Sequence, residues 1–216
     1  LQEGHMFEVL TSETSYLRSL YVLTEHFMEN RELAETIIIS ERKTLFSNIL
    51  KVREVSERFL KDLEEHIFKE IVFPDICNIL HYHAQHNFST YIDYVRNQTY
   101  QEKTFSRLMK TNEQFATVIN RLQELPQCQR LPFISFLLLP FQRITRIKML
   151  IEGMTQSNYW HHKGRTSVEI LNISHDSKHT SNLVTKWLTD NNYSVLTRPS
   201  QSLISVLLKR AGQILI

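Results

Sequence analysis

Apolar residues recur at three- and four-residue steps along most of the chain, the spacing typical of amphipathic helices. In the first segment Met6, Leu10, Leu17, Leu20 and Phe27 follow this spacing. The pattern predicts a long first helix that runs from near Met6 to near Phe27.

A second long helix is predicted from Ser40, a residue type that caps helices, through apolar positions from Leu45 to Ile67. Pro74 ends that pattern, and Pro132 suits the first position of a later helix. Further helices are predicted over 75–83, 89–102, 102–125, 133–153 and 166–189.

Glycine is scarce, with four residues in the chain and none between His5 and Glu152. Proteins rich in strands need tight turns, and tight turns favour glycine. We therefore predict an all-α fold, an elongated multi-helix bundle. The exception is 200–216, where β-branched residues flank a turn candidate at Lys209 to Gly212 and predict a short β-like tail.

The charge is nearly balanced, with 25 basic and 23 acidic residues and a net charge of +2. Such a balance argues against a nucleic-acid partner, which needs a basic face. No apolar run approaches the roughly 18 residues of a membrane span, so no membrane insertion is expected. Cys77 and Cys128 form no C-x-x-C pair, and the N-terminus does not resemble a signal peptide. These features favour a cytoplasmic location and no structural metal.

Ten histidines raise the alternative of a hydrolytic metalloenzyme. His175 and His179 have a chelating spacing, but no Glu follows the first as the H-E-x-x-H pattern requires. The same reasoning predicts surface histidines at His81, His83, His161 and His162. Phosphate-binding glycine motifs are also absent, so no bound nucleotide or other cofactor is expected in this chain.

The segment that begins at Phe133 has two different faces at 100° per residue. One face is apolar and predicts core: Phe133, Leu137, Pro140, Ile144, Ile147 and Ile151. The other face mixes apolar residues with an amide and a guanidinium: Ser135, Leu139, Gln142, Arg146, Met149 and Gly153. Arg and Met are enriched at protein interfaces, so the second face predicts a protein-binding surface.

Glu13 lies on the apolar stripe of the first helix, with Leu10, Leu17 and Leu20. Burying a carboxylate without a partner is costly. Two interpretations stay open: an internal salt bridge to an Arg of a neighbouring helix, or a carboxylate held out to a cation on another protein.

Three ordered segments resemble the conserved regions of the Dbl-homology domain of Rho guanine nucleotide exchange factors, with the ephexin subgroup as the nearest likeness. They are LTSETSYLRSL at 10–20, LFSNILKVREVSERFLKDLEEHI at 45–67, and LPFISFLLLPFQRITRIKMLIEGM at 131–154. The resemblance implies a Dbl-homology domain over 1–192. It also implies a linker with the truncated start of a pleckstrin-homology domain over 193–216.

The resemblance further implies binding to a Rho-family small GTPase of the RhoA, Rac or Cdc42 type. Carried over by motif, Glu13 is expected at switch I, and Gln142 and Arg146 near switch II. Leu139 stands where the family usually has Lys, which affects one polar contact. The expected contact residues are Glu13, Leu139, Gln142, Arg146, Met149 and, near the end of the last helix, Asn182.

The implied activity is acceleration of GDP release so that GTP can load, without bond chemistry. Membrane recruitment would come from a pleckstrin-homology domain that this chain does not hold. Two alternatives remain: a non-catalytic helical scaffold or membrane-associated interaction module, and an exchange-factor fold without activity.

Overall fold

The structure, a computed structural model, describes residues 2–69 and 77–156. Regular structure in these ranges is helical throughout, which confirms the all-α class for them. The helices are α1 (Gln2–Tyr21), α2 (Arg31–Thr36), α3 (Ile39–Phe46), α4 (Ile49–Lys69), α5 (Cys77–His86), α6 (Ser89–Thr111), α7 (Glu113–Gln123) and α8 (Phe133–Gln156). The predicted helix at 166–189 and the β-like tail lie outside the described residues.

The first predicted helix is confirmed, and it ends in an unusual way. Beyond α1 the backbone continues as a π-helical segment, Val22–Met28. The amide of Glu29 donates to the carbonyl of Thr24 at 2.9 Å, a five-residue step. The Thr24 hydroxyl donates to the Leu20 carbonyl, also at 2.9 Å, so it is satisfied although buried.

The single helix predicted from Ser40 to Ile67 is wrong, because the chain breaks into α3 and α4. Ser47 has a φ of 49°, outside the helical range, and separates the two. Ser40 is not the cap of α3. The amide of Ile38 instead donates to the Glu41 carboxylate at 3.2 Å.

The predicted boundary near Glu102 is also wrong, because α6 continues to Thr111. The boundary falls at Asn112, whose side-chain oxygen accepts from the Phe115 amide at 2.9 Å and caps α7. Its amide nitrogen donates to the Thr36 carbonyl at 2.7 Å. One side chain thus begins α7 and ties it to the end of α2.

Helices α1, α4, α6 and α8 surround one apolar core. In the π-helical segment that continues α1, the ring of Phe27 meets the ring of Phe133 edge to face at 4.9 Å. At the other end Glu8 meets Arg146. Therefore α1 and α8 run antiparallel over their length. None of the described helices is long and apolar enough to span a membrane.

Candidate protein-binding site

Glu13 lies in the interior between three helices, with a fully buried side chain. Its Oε2 accepts from the Arg143 Nε of α8 at 2.6 Å and lies 2.5 Å from Nη2. Its Oε1 accepts from the Ser56 hydroxyl of α4 at 2.5 Å. The internal salt bridge is therefore the correct interpretation. Contact between Glu13 and a GTPase switch stays a prediction, and in the chain alone this carboxylate is enclosed.

The guanidinium of Arg143 makes several contacts with a single helix, α1. Besides the carboxylate of Glu13, its Nη1 donates to the Ser12 hydroxyl at 2.9 Å. Its Nη2 approaches the Val9 carbonyl at 3.5 Å, and the guanidinium carbon lies 5.9 Å from the centre of the Tyr16 ring. Because Arg presents its donors in a fixed planar fork, this set of acceptors suits one relative placement of α1 and α8.

The acidic side chain that α1 presents beside α8 is Glu8. Arg146 Nη2 donates to Glu8 Oε1 at 3.0 Å. Both side chains are part-exposed, at 38% for Arg146 and 42% for Glu8. Glu8 precedes the quoted motif, so motif matching passed over it. A helical projection would have found it, because Glu8, Ser12, Ser15 and Ser19 form a polar stripe beside the Glu13 stripe.

Two further predicted contact residues, Leu139 and Gln142, are half-buried on α8. Leu139 packs in part against the core, so only a portion of it can meet a partner. The Gln142 backbone carbonyl accepts the Thr145 hydroxyl at 2.8 Å. Met149 is on α8, but its side chain lies outside the described part of the structure, as does the whole of Asn182. We call Glu8, Leu139, Gln142 and Arg146 the α1–α8 surface.

Buried tyrosines line the side of the ion pair that faces the core. Tyr16 anchors α1 in the core and does not reach the surface. Burial raises the pKa of the Tyr16 hydroxyl well above 10, and neighbouring Tyr91 raises it further. Burial likewise raises the pKa of Tyr91 and Tyr94. These hydroxyls are neutral at any physiological pH, so they add no charge beside Glu13 and Arg143.

The surface prediction for His83 is wrong, because the ring is fully buried between α4 and α5. Its Nε2 lies 2.8 Å from Asp62 Oδ2, and the Asn87 amide lies 3.0 Å from its Nδ1. Burial lowers the pKa of His83, against an opposing effect of Asp62. Among the described residues no cluster of His, Cys, Asp and Glu could hold a metal ion. His161, His162, His175 and His179 lie outside them.

Two curated relatives are similar over most of the chain. Human Rho guanine nucleotide exchange factor 15 is 52% identical over 154 residues, which cover 71% of this chain and 18% of that protein. Mouse Ephexin-1 is 50% identical over 154 residues, covering 71% of this chain and 22% of that protein. The chain thus spans about a fifth of the length of each relative.

Solved structures share the fold. In the structure of human RhoA in complex with the DH/PH fragment of PDZRHOGEF, the matching chain gives a TM-score of 0.70 at 16% identity, covering 87% of this chain and 54% of that chain. The RhoGEF domain, as a family, matches residues 5–181. Family, relatives and fold agree with the three motifs quoted above, and the chain belongs to the RhoGEF domain family.

Proposed function

We propose that this domain binds a Rho-family GTPase through the α1–α8 surface and accelerates release of GDP. The observation that carries the proposal is the part-exposed pair of Glu8 and Arg146, set beside Gln142 and Leu139 on helices that a buried ion pair holds together. The surface mixes charge, amide and apolar groups, as protein interfaces do. One of the solved structures that share this fold, the DH/PH fragment of PDZRHOGEF, is in complex with human RhoA.

Glu13 stays the predicted contact with switch I from the motif resemblance, and Glu8 is proposed as a further acidic contact. The carboxylate of Glu8 is part-exposed in the chain alone whereas that of Glu13 is enclosed, so a partner can reach Glu8 without any change in packing. Gln142, Arg146 and Leu139 keep the proposed contact role. Met149 and Asn182 stay predictions from the motif and from the helix register.

The mechanism follows from differential affinity. A partner that binds the switch loops in a rearranged form binds the nucleotide-free GTPase more tightly than the GDP-bound form. The partner can shift the equilibrium only by that difference, so the domain speeds GDP release without making or breaking a bond. The nucleotide orders the switch loops of the GTPase. A partner that binds these loops can therefore shift the equilibrium between the GDP-bound and the nucleotide-free GTPase.

Release of fluorescent GDP from RhoA, Rac and Cdc42, with catalytic amounts of the chain, tests the proposal. We expect faster release from at least one of the three. Glu8→Ala and Arg146→Ala should each lower the exchange rate by about tenfold or more, as loss of a charged pair at an interface does. Arg107→Ala is the matched control, because it breaks a comparable surface pair with Glu41, on α6 and α3.

If the GDP release rate is unchanged with all three GTPases, the proposed exchange activity is refuted. The two alternatives, a helical scaffold and an exchange-factor fold without activity, would then remain. Binding of the nucleotide-free GTPase without faster release would select the inactive fold. If the two surface variants exchange as fast as Arg107→Ala, the contact surface lies elsewhere.

A further inference from the structure

Pro140 lies inside α8, between the apolar start of the helix and the polar residues of the α1–α8 surface. Proline has no amide hydrogen, so the carbonyl of Phe136 lacks the donor that a helix ordinarily supplies four residues on. The proline ring also presses against that carbonyl, and sharp bends in helices fall at such positions. The sequence of α8 therefore builds a bend into the helix just before Gln142 and Arg146.

A side chain of another helix meets α8 in the same turn. The hydroxyl of Tyr94, on α6, donates to the carbonyl of Leu137 at 3.0 Å. Leu137 directly follows Phe136, so its carbonyl belongs to the turn that Pro140 opens. Tyr94 is fully buried, and burial raises the pKa of its hydroxyl, so the group remains a donor at physiological pH. It supplies hydrogen bonding inside the core, where a carbonyl without a donor is costly.

A third contact lies on the far side of the proline. The hydroxyl of Thr145 approaches the carbonyls of Phe141 and Gln142 at 3.2 and 2.8 Å. Threonine hydroxyls that bond back to carbonyls of their own helix often bend it. Tyr94 and Thr145 thus bond to the α8 backbone on the two sides of Pro140.

The bend decides where the polar part of the α1–α8 surface lies. Leu139 precedes Pro140, whereas Gln142 and Arg146 follow it. Because a helix rises about 1.5 Å per residue, Arg146 lies about 9 Å beyond Pro140 along the axis. A bend that changed by about 20° would move Arg146 by about 3 Å relative to Leu139. That displacement is large enough to break the bond of 3.0 Å from Arg146 to Glu8.

We propose that Tyr94 is a positioning residue for the α1–α8 surface. Its hydroxyl holds the bend that Pro140 creates, and the bend directs Gln142 and Arg146 to the place where they meet a GTPase. Tyr94 itself lies in the core and does not reach this surface. The inference rests on the proposed exchange function, and it adds a residue of α6 to those on which exchange depends.

Tyr94→Phe keeps the ring and removes only the hydroxyl. We expect exchange at limiting GTPase to fall about tenfold, since small misplacements of binding groups lower rates steeply. The matched control is Asn97→Leu, because Asn97 also lies on α6 and donates to a backbone carbonyl, that of Thr44 on α3, at 2.7 Å. Each variant loses one hydrogen bond between helices, but the control should retain wild-type exchange. Equal exchange rates for the two variants would overturn the proposal.

Pro140→Ala tests the link between Tyr94 and the bend. Alanine restores an amide that can donate to the Phe136 carbonyl, so α8 should straighten and exchange should fall by about tenfold here too. In a straight helix the Tyr94 hydroxyl has no bend to hold, so adding Tyr94→Phe should cause no further loss. If Tyr94 only filled the core, the two losses would multiply, as independent effects do. A multiplied loss in the double variant would therefore contradict the proposal.

Distances measured without GTPase separate this inference from the proposed function. Nitroxide labels at Lys61→Cys on α4 and Gln142→Cys on α8 report the part of α8 after the bend, in a chain whose two native cysteines are replaced by alanine. Labels at Lys61→Cys and Ser135→Cys report the part before it. Tyr94→Phe and Pro140→Ala should each shift the first distance by about 3 Å and leave the second unchanged.

An unshifted first distance would refute the positioning role whether or not the domain releases nucleotide. A shifted first distance in a domain that does not speed GDP release would refute the exchange function and support the role of Tyr94 in the bend. If Tyr94→Phe does not fold, Pro140→Ala still tests the bend. The distance to Gln142 must then shift in that variant, and an unchanged value refutes the proposal.

Discussion

At the scale of single residues, two glutamates of α1 have opposite surroundings although only five positions separate them. Five residues turn a helix by 500°, which leaves them about 140° apart around the axis. Glu13 thus points between α4 and α8, and Glu8 points along the outer edge of α8. Their chemistry is the same, so their different surroundings depend on the helix face alone.

Removing each carboxylate should therefore have a different effect on stability. Glu13→Ala leaves Arg143 buried without its partner and should lower the free energy of unfolding by about 3–5 kcal/mol. Glu8→Ala breaks a part-exposed pair and should cost less than about 1 kcal/mol. Urea unfolding followed by circular dichroism measures both. Equal midpoints for the two variants would contradict the burial of Glu13.

At the scale of helices, a few polar side chains decide where one helix ends and the next begins. Asn30 caps α2 by accepting from the Leu33 amide at 3.0 Å. Asn112 caps α7 in the same way and also reaches the end of α2. His83, through Asp62, joins α5 to α4. Asn112 and His83 thus also tie two helices together, whereas Asn30 acts at the start of α2 alone.

The two capping asparagines make a matched pair of variants. Asn30→Ala removes one cap and should cost about 1 kcal/mol of unfolding free energy. Asn112→Ala removes a cap and a hydrogen bond between helices, so its cost should be larger, at about 2 kcal/mol. Denaturant titration of both variants checks the order. A larger loss for Asn30→Ala would show that the bond to Thr36 contributes nothing.

His83 should make stability depend on pH. Its pKa in the folded protein lies below the usual value of 6.5, because burial disfavours the imidazolium. As pH falls through 6.5, the unfolded chain binds the proton more readily, so this contribution to stability is full above pH 6.5 and decreases toward the lower folded pKa. Unfolding at about pH 7.5 and about pH 5.5 should show the loss, and His83→Gln should reduce it. His86→Gln, at an exposed site, should retain the full dependence.

At the scale of the whole molecule, the α1–α8 surface joins residues from opposite ends of the described sequence. Glu8 and Arg146 are 138 positions apart, and Glu13 and Arg143 are 130 apart. Only the antiparallel packing of α1 on α8 brings them together. A bundle of this kind can therefore present a composite surface without any mobile loop of its own.

Differential affinity makes a further prediction for the intact domain. A ligand that binds only the folded state stabilises it by RT ln(1 + L/Kd), where L is the ligand concentration, which is about 2.7 kcal/mol when the ligand concentration is a hundred times Kd. Nucleotide-free GTPase should therefore raise the Tm of the domain, and added GDP with Mg²⁺ should reverse the rise. A thermal unfolding series with both forms measures this. An equal rise with the GDP-bound form would contradict the exchange mechanism.

Much of the fold and part of the site could be predicted without coordinates. The apolar face of α8 was predicted correctly at Phe133, Leu137, Pro140, Ile144 and Ile147, all of them buried. The break at Ser47, the length of α6 and the burial of His83 were not predicted, because each depends on a neighbour distant in the sequence or on a backbone angle that residue type does not specify.

The sequence by itself determined the helical class, the core side of α1 and of α8, and the family, since periodicity and motif order are local properties of the chain. It also narrowed Glu13 to two roles. The tertiary structure alone showed that Glu13 forms an internal salt bridge, because burial is a property of the neighbouring helices: α4 and α8 enclose Glu13 and leave Glu8 part-exposed beside Arg146. A carboxylate pairs with the cation that helix packing brings close to it. The spacing of residues within one helix does not predict which cation on another helix that will be.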